Sequence, residues 1–159
     1  METTKNKTTL LIMAAGMGSR FGSLKQLALL GPHKKTLLHY SIYDAVHAGF
    51  DKIVFIIRRS FENEFKEAVG KYAESLVETV YCFQEMDQLP GNLPPIQREK
   101  PWGTAHAIWA AKDHIHEPFI AINADDFYGR DAFVKMHDFV ASNTDERCFS
   151  LAGYRLAAT

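Results

Sequence analysis

Cysteine is nearly absent: Cys82 and Cys148 are the only two in 159 residues. They form no C-x-x-C pair, so neither a zinc ribbon nor a thioredoxin-type motif is supported. Both sit in apolar stretches, and the expectation is two buried thiols in a reducing, cytoplasmic compartment. Long hydrophobic runs are also missing. The best candidate, Leu10 to Ala15, falls far short of the ~20 residues that span a bilayer. The polar start METTKNKTT lacks the charged-then-apolar order of a signal peptide, so no membrane partner is expected. An excess of one charge is absent too. Eighteen basic residues face nineteen acidic ones, for a formal net charge of −1, which argues against a nucleic-acid partner. What remains is 47% hydrophobic and 23% charged, the composition of one ordinary globular domain.

The apolar residues alternate in kind along the chain. Thr9 to Ala14 is a short continuous run ending at glycine, as in a strand buried on both faces. Thr36 to Ala48 carries a helical stripe, and Gly49 closes it. Lys52 to Ile57 is a second buried strand, Glu62 to Tyr72 a polar helix with Phe61, Phe65 and Tyr72 toward the core, and Val77 to Phe83 a third strand. Four of the six prolines fall between Gln84 and Pro101, which marks a loop. Thr104 to His114 reads as a helix with Thr104 as N-cap, Phe119 to Asn123 as a strand, Asp131 to Ser142 as a helix and Cys148 to Leu156 as a last strand. Strand alternating with helix predicts an α/β fold: a three-layer α/β/α Rossmann-like sandwich with a mostly parallel sheet and right-handed crossovers. Residues 1–7 look loose, and 8–159 form the domain.

Ligands in such sheets bind beyond the carboxyl ends of the strands. Two of these places are chemically unusual. After the first strand comes Ala14-Ala15-Gly16-Met17-Gly18-Ser19-Arg20-Phe21-Gly22-Ser23-Leu24-Lys25. Glycines here let the backbone turn tightly and bring N–H groups to phosphate oxygens. Arg20 adds a forked donor and Lys25 a mobile point charge. A plain strand-to-helix turn with surface charges remains the bland alternative. The spacing fits neither common phosphate loop. Phe21 stands where a G-x-G-x-x-G fingerprint needs its third glycine, and Lys25 lies too far from Gly22 for a Walker A loop. Arg58-Arg59 after the second strand keeps an NADP site open. The other unusual place is Asp125-Asp126 after the fourth strand, read blandly as a solvated turn.

Four ordered segments resemble the nucleotidyltransferase family of GT-A-like fold, in its sugar-1-phosphate branch. AAGMGSRFGSLKQL is similar to the family's A-A-G-x-G-[ST]-R signature with its later lysine. GPHKKTLLHYSI resembles the stretch leading into the first long helix. Gln97 with Trp102-Gly103-Thr104-Ala105 resembles the Q…G-T-A element, and Ile122 to Gly129 resembles the metal-binding G-D element. Leu24 replaces the proline that usually precedes the lysine, and the short Arg20-to-Lys25 spacing is also similar to cytidylyltransferases acting on non-sugar phosphates.

The resemblance implies transfer of a nucleoside monophosphate from a nucleoside triphosphate to a sugar 1-phosphate, with Mg²⁺ as cofactor. Arg20 and Lys25 would be catalytic, at the leaving phosphates and the α-phosphate. Ala14, Ala15, Gly16, Gly18 and Ser19 would bind the triphosphate. Gln97, Gly103 and Thr104 would bind the base, and Asp125 the metal, with Asp126 ordering its surroundings. Family members run well beyond 159 residues, which implies a catalytic domain shortened at its C-terminal end and keeps a non-catalytic nucleotide-binding module as a second reading. A homo-oligomer is left open. His106 is expected to pack, Trp102 and Trp109 to wall the core or a pocket, and His114 and His116 to lie on the surface.

Overall fold

The computed structural model describes residues 7–16, 29–30, 32, 35–91, 102–143, 145 and 147–155. Its centre is a four-stranded parallel sheet of β1 (Thr9–Met13), β4 (Lys52–Ile57), β5 (Glu78–Phe83) and β6 (Phe119–Asn123) in the order β5-β4-β1-β6. A small antiparallel pair, β2 (Leu29–Leu30) and β3 (Lys35–Thr36), precedes α1 (Leu37–Ala48). After β4 come α2 (Glu62–Phe65), a π-helical turn (Lys66–Gly70) and α3 (Lys71–Glu74); α4 (Thr104–Trp109) precedes β6, and α5 (Arg130–Ser142) follows it.

The continuous apolar runs of β1 and β4 are explained by helices on both faces. Leu10, Ile12 and Ala14 with Ile53, Phe55 and Ile57 face one layer, where Leu38, Ile42 and Ala45 of α1, Phe65, Val69 and Ala73, and Phe133 and Val140 of α5 pack against them. Leu11, Ala15, Val54, Ile56 and Cys82 face the other layer, against Ala107 and Ala111. The expected three-layer α/β/α sandwich is what forms. Each large aliphatic side chain removed from water in this way contributes roughly 1.5–3 kcal/mol.

α1 ends where the glycine predicts. Gly49 takes φ 111°, a left-handed conformation that costs a side-chain-bearing residue, and its N–H reaches the carbonyls of Ala45 and Val46, both at 3.1 Å. At the other end Thr36 and His39 form a reciprocal capping box.

Several sequence expectations are corrected. The region read as one helix from Glu62 to Tyr72 runs to Glu74 and is interrupted by the π-helical turn, which sets Gly70 directly under the Tyr81 hydroxyl. α4 is helical only over Thr104–Trp109, then loosens into turns, and Gly103 rather than Thr104 stands at its N-cap. The stretch expected as a last strand is not a strand over its described residues, 148–155. Phe149 is 89% and Leu151 95% exposed. Alternating apolar residues qualify a segment for a strand, but a strand also needs a neighbour's backbone to bond, and none pairs with it among the described residues. Cys148 is exposed for the same reason, whereas Cys82 is buried and its thiol is pushed up to about 11 by desolvation.

Candidate active site

The chain runs from β1 out to β4 and β5 on one side, then returns to place β6 on the other. The reversal falls between β1 and β6, and in open sheets of this kind ligands bind beyond the carboxyl ends of the strands at such a reversal. Met13 is in register with Asn123, and the pairing continues one step further, with the Ala124 N–H donating to the Met13 carbonyl at 3.1 Å. On the other side the Ala14 N–H donates to the Ile56 carbonyl at 2.8 Å. These bonds pin both strand exits. Ala14 and Ala15 are buried, and Gly16 emerges as the first exposed residue of the glycine-rich turn. Asp125 and Asp126 emerge, exposed, from the neighbouring strand. The sequence-expected phosphate turn and metal carboxylate therefore leave adjacent strands at the switch point.

Behind Asp125 the turn is organised by polar contacts. The Asn123 side-chain amide donates to Asp126 Oδ2 at 2.8 Å, and the Tyr128 hydroxyl donates to the same oxygen at 3.3 Å. The Tyr128 hydroxyl also accepts the Asn123 backbone N–H at 2.9 Å. That N–H points away from β1, so Tyr128 satisfies a group on the sheet's open edge. Burial pushes the Tyr128 phenol above its ordinary value. Asp126 is thereby a structural partner inside this turn, and Asp125 stands beside it, exposed.

Across β1, the end of β5 is tied to the start of α4. The Gln84 N–H donates to the Ile57 carbonyl at 3.0 Å, continuing the β4–β5 ladder. The Gln84 side chain, 7% exposed, donates through Nε2 to the Trp102 carbonyl at 2.8 Å and lies 3.4 Å from the Gly103 carbonyl. Trp102 Nε1 donates to the Met86 carbonyl at 3.0 Å, and His106 reaches the Gln88 carbonyl at 2.5 Å. Gly103 and Thr104 are exposed on top of this framework. His106 thus does more than pack. Arg59 lies over the Phe83 ring at 3.9 Å and faces Glu85 at 3.6 Å, a stacked and paired arginine on the rim. His114 and His116 are exposed, as expected.

Of the expected site residues, Ala14, Ala15, Gly16, Gly103, Thr104 and Asp125 are placed at the carboxyl ends of the sheet. Gly18, Ser19, Arg20, Lys25 and Gln97 lie outside the described residues. Gln84 is the residue that sequence reasoning missed: it is the glutamine brought to Gly103. The available signal was its position directly after the third apolar run. Among the described residues no group of three or more His, Cys, Asp or Glu side chains is gathered as a metal cage. A groove of about 1200 Å³ runs elsewhere, along the open edge of β6, lined by Phe119, Ile122, Met136 and Leu151 among others. Its walls are mainly apolar and do not suit a triphosphate. No helix among the described residues is long and apolar enough to cross a membrane.

A parallel sheet whose strand order reverses between β1 and β6, with helices on both faces, defines an α/β protein of the doubly wound class. The particular family follows from comparison: a family model described as "Nucleotidyl transferase" matches residues 9–155, and the chain belongs to that family. It is 28% identical over 130 residues to a UTP–glucose-1-phosphate uridylyltransferase of Bacillus subtilis (strain 168), a match covering 73% of this chain and 43% of that protein. Among solved structures, a UDP-glucose pyrophosphorylase complexed with UDP-glucose shares 19% identity at a TM-score of 0.55, covering 84% of this chain and 53% of the other. A glucose-1-phosphate thymidylyltransferase, so titled, from Bacillus anthracis shares 18% identity at a TM-score of 0.61, covering 83% and 50%. The two structural likenesses establish the fold. The chain spans about half the length of the proteins it matches.

Proposed function

We propose that this chain carries the nucleotide-binding part of an enzyme that transfers a nucleoside monophosphate from a nucleoside triphosphate to a sugar 1-phosphate. The observation that carries this reading is that Gly16 and Asp125 follow the ends of the adjacent strands β1 and β6, where the strand order reverses, within a family match that runs from residue 9 to residue 155. The sugar-phosphate oxygen attacks the α-phosphorus, the bond from that phosphorus to the bridging oxygen breaks, and pyrophosphate leaves. Such a reaction asks the protein for alignment and for charge neutralisation, not for a covalent nucleophile.

In this reading Ala14, Ala15, Gly16, Gly18 and Ser19 cradle the triphosphate through backbone N–H groups. Arg20 holds the departing β- and γ-phosphates, and Lys25 meets the α-phosphate as charge redistributes. Gly103 and Thr104 border the base, with Gln97 and Gln84 as the two glutamines able to read it. Asp125 suits Mg²⁺: one exposed carboxylate beside a phosphate turn matches an ion that keeps its waters and shares phosphate oxygens instead of filling an all-protein cage. When bound, the ion would neutralise phosphate charge. The sugar 1-phosphate, and UTP or dTTP as the triphosphate, are taken from what the relatives' names state.

The test is pyrophosphate release from a panel of triphosphates and sugar 1-phosphates with magnesium, alongside Asp125→Asn. The expected result is turnover that falls at least about a hundredfold in the variant while triphosphate binding persists. Binding without turnover across the panel would instead identify a nucleotide-binding module. Turnover only with CTP and a non-sugar phosphate would identify the cytidylyltransferase alternative.

A further inference from the structure

Asn123 ends β6, and the turn that follows it is closed by side chains. A phenol hydroxyl has one proton to give and lone pairs that accept. Tyr128 uses both: its oxygen accepts the Asn123 backbone N–H at 2.9 Å, and its proton goes to Asp126 Oδ2 at 3.3 Å. The Asn123 carboxamide reaches the same carboxylate oxygen at 2.8 Å, and since a carboxylate only accepts, the amide nitrogen must face it. Residues 123, 126 and 128 are thereby tied to one another across the turn. The Tyr128 ring is fixed as well, edge-on against Phe133 at 6.2 Å, whereas its neighbour Phe127 is 67% exposed. From outside, the Tyr154 hydroxyl donates to the Tyr128 carbonyl at 3.0 Å. Asp125 sits between two anchors. On one side the Ala124 N–H is held by the Met13 carbonyl at 3.1 Å, and on the other the Asp126 side chain is held by Asn123 and Tyr128.

We propose that Tyr128 is a positioning residue: it ties the end of β6 to Asp126 and so holds the backbone that presents Asp125 in the conformation that meets a divalent cation. This rests on the reading of Asp125 as the metal carboxylate. A single exposed carboxylate that shares an ion with phosphate oxygens has little affinity to spare. A turn that had to be ordered at the moment of binding would lose much of it, and fixing the turn beforehand removes that cost. Groups that hold a metal ligand in place are commonly worth about ten- to a hundredfold in metal affinity. The two neighbouring carboxylates then divide the work. Asp126 Oδ2 is filled by two donors, which makes Asp126 the anchor and leaves Asp125 to the ion. Because Asp126 serves the turn as an acceptor, its charge is not what the turn requires.

The experiment is calorimetric titration of UTP and dTTP, each with magnesium and with EDTA, joined to site-resolved amide hydrogen exchange of the ligand-free protein. It is run on the unaltered protein and on Tyr128→Phe, Asp126→Asn, Asp126→Leu and Asp125→Asn, with a thermal melt of each. Magnesium should tighten binding by the unaltered protein at least about tenfold, and Tyr128→Phe should cut that gain to about threefold or less while binding in EDTA stays as it was. Asp126→Asn, which keeps an acceptor for both bonds, should retain most of the gain, and Asp126→Leu should not. Without ligand, the Asn123 amide should exchange at least about tenfold faster in Tyr128→Phe, while the Ala124 amide, bonded to Met13, keeps its protection. A gain that vanishes in Asp125→Asn yet is unchanged in a folded Tyr128→Phe would overturn the positioning role and leave the metal reading standing. An Asn123 amide that exchanges no faster, or a gain lost in Asp126→Asn, would do the same. A gain absent from the unaltered protein, or retained in Asp125→Asn, would overturn the metal reading and this proposal with it, and so would failure of both nucleotides to bind.

Discussion

Replacing Glu117 by glutamine removes the charge that pins the amino-terminal ends of three strands together. Glu117 lies just before β6. Its Oε1 accepts from the Thr9 hydroxyl at the start of β1 and from Lys52 Nζ at the start of β4, the latter at 2.9 Å. Its Oε2 accepts the His116 backbone N–H at 3.1 Å, and Lys52 also donates to the His114 carbonyl at 2.5 Å. The Lys52 and Glu117 side chains are 12% and 19% exposed, so the pair is largely shielded from water. Desolvation pushes the carboxyl up, but the bonds from Thr9, Lys52 and the His116 N–H, together with the lysine charge, outweigh it and bring it down to about 2.

The folded value lies below the ordinary 4.5, so the ionised group stabilises the fold at pH above about 4.5, and this contribution is lost as pH falls toward 2. The fall from 4.5 to about 2 corresponds to about 3 kcal/mol. Glu117→Gln also leaves the shielded Lys52 ammonium without its counter-charge. We expect a loss of about 2–3 kcal/mol at pH 7, which for a chain of this size lowers Tm by roughly 5–10 °C. Urea and thermal unfolding of both proteins, followed by circular dichroism from pH 7 to pH 2.5, reads the effect. The two stability curves should converge as the acid limit is approached. A variant as stable as the parent at pH 7, or a difference that stays constant down to pH 2.5, would refute the reasoning.

Two further substitutions test the packing. A Cβ on Gly70 would sit 2.2 Å from the Tyr81 hydroxyl oxygen, and that hydroxyl is held by Glu74 at 2.7 Å. Gly70→Ala should cost about 1–3 kcal/mol in urea unfolding, and Tyr81→Phe in the same chain should recover much of it; two additive losses would count against the clash. His137 is 5% exposed, packs edge-on against Phe50 at 5.2 Å, and among the described residues neither ring nitrogen has a hydrogen-bond partner, Nδ1 lying 3.6 Å from Asp138 Oδ1. His137→Leu should raise stability by about 1 kcal/mol, seen as a higher Tm at pH 7, and a lower Tm would argue that the imidazole is satisfied in solution.

The sequence by itself determined the elements whose cause is local. Continuous apolar runs marked β1 and β4 because both of their faces are covered, and Gly49 marked the end of α1 because a left-handed turn is needed there. The alternation of strand and helix implied the layered fold, and the residues after Ala14 and Asn123 stood out by composition alone. Tertiary structure decided what depends on neighbours distant in the chain. Placing β6 beside β1 set Gly16 and Asp125, which follow those strands, at the same end of the sheet, which no spacing between residues 16 and 125 could specify. The polar contacts at the end of β5 brought Gln84 to Gly103, because a buried amide must find carbonyl partners wherever the fold supplies them. The stretch from Cys148 onward shows the converse. Its apolar alternation is a local property, whereas being a strand requires a partner backbone, and a sequence pattern carries no record of whether that partner is there.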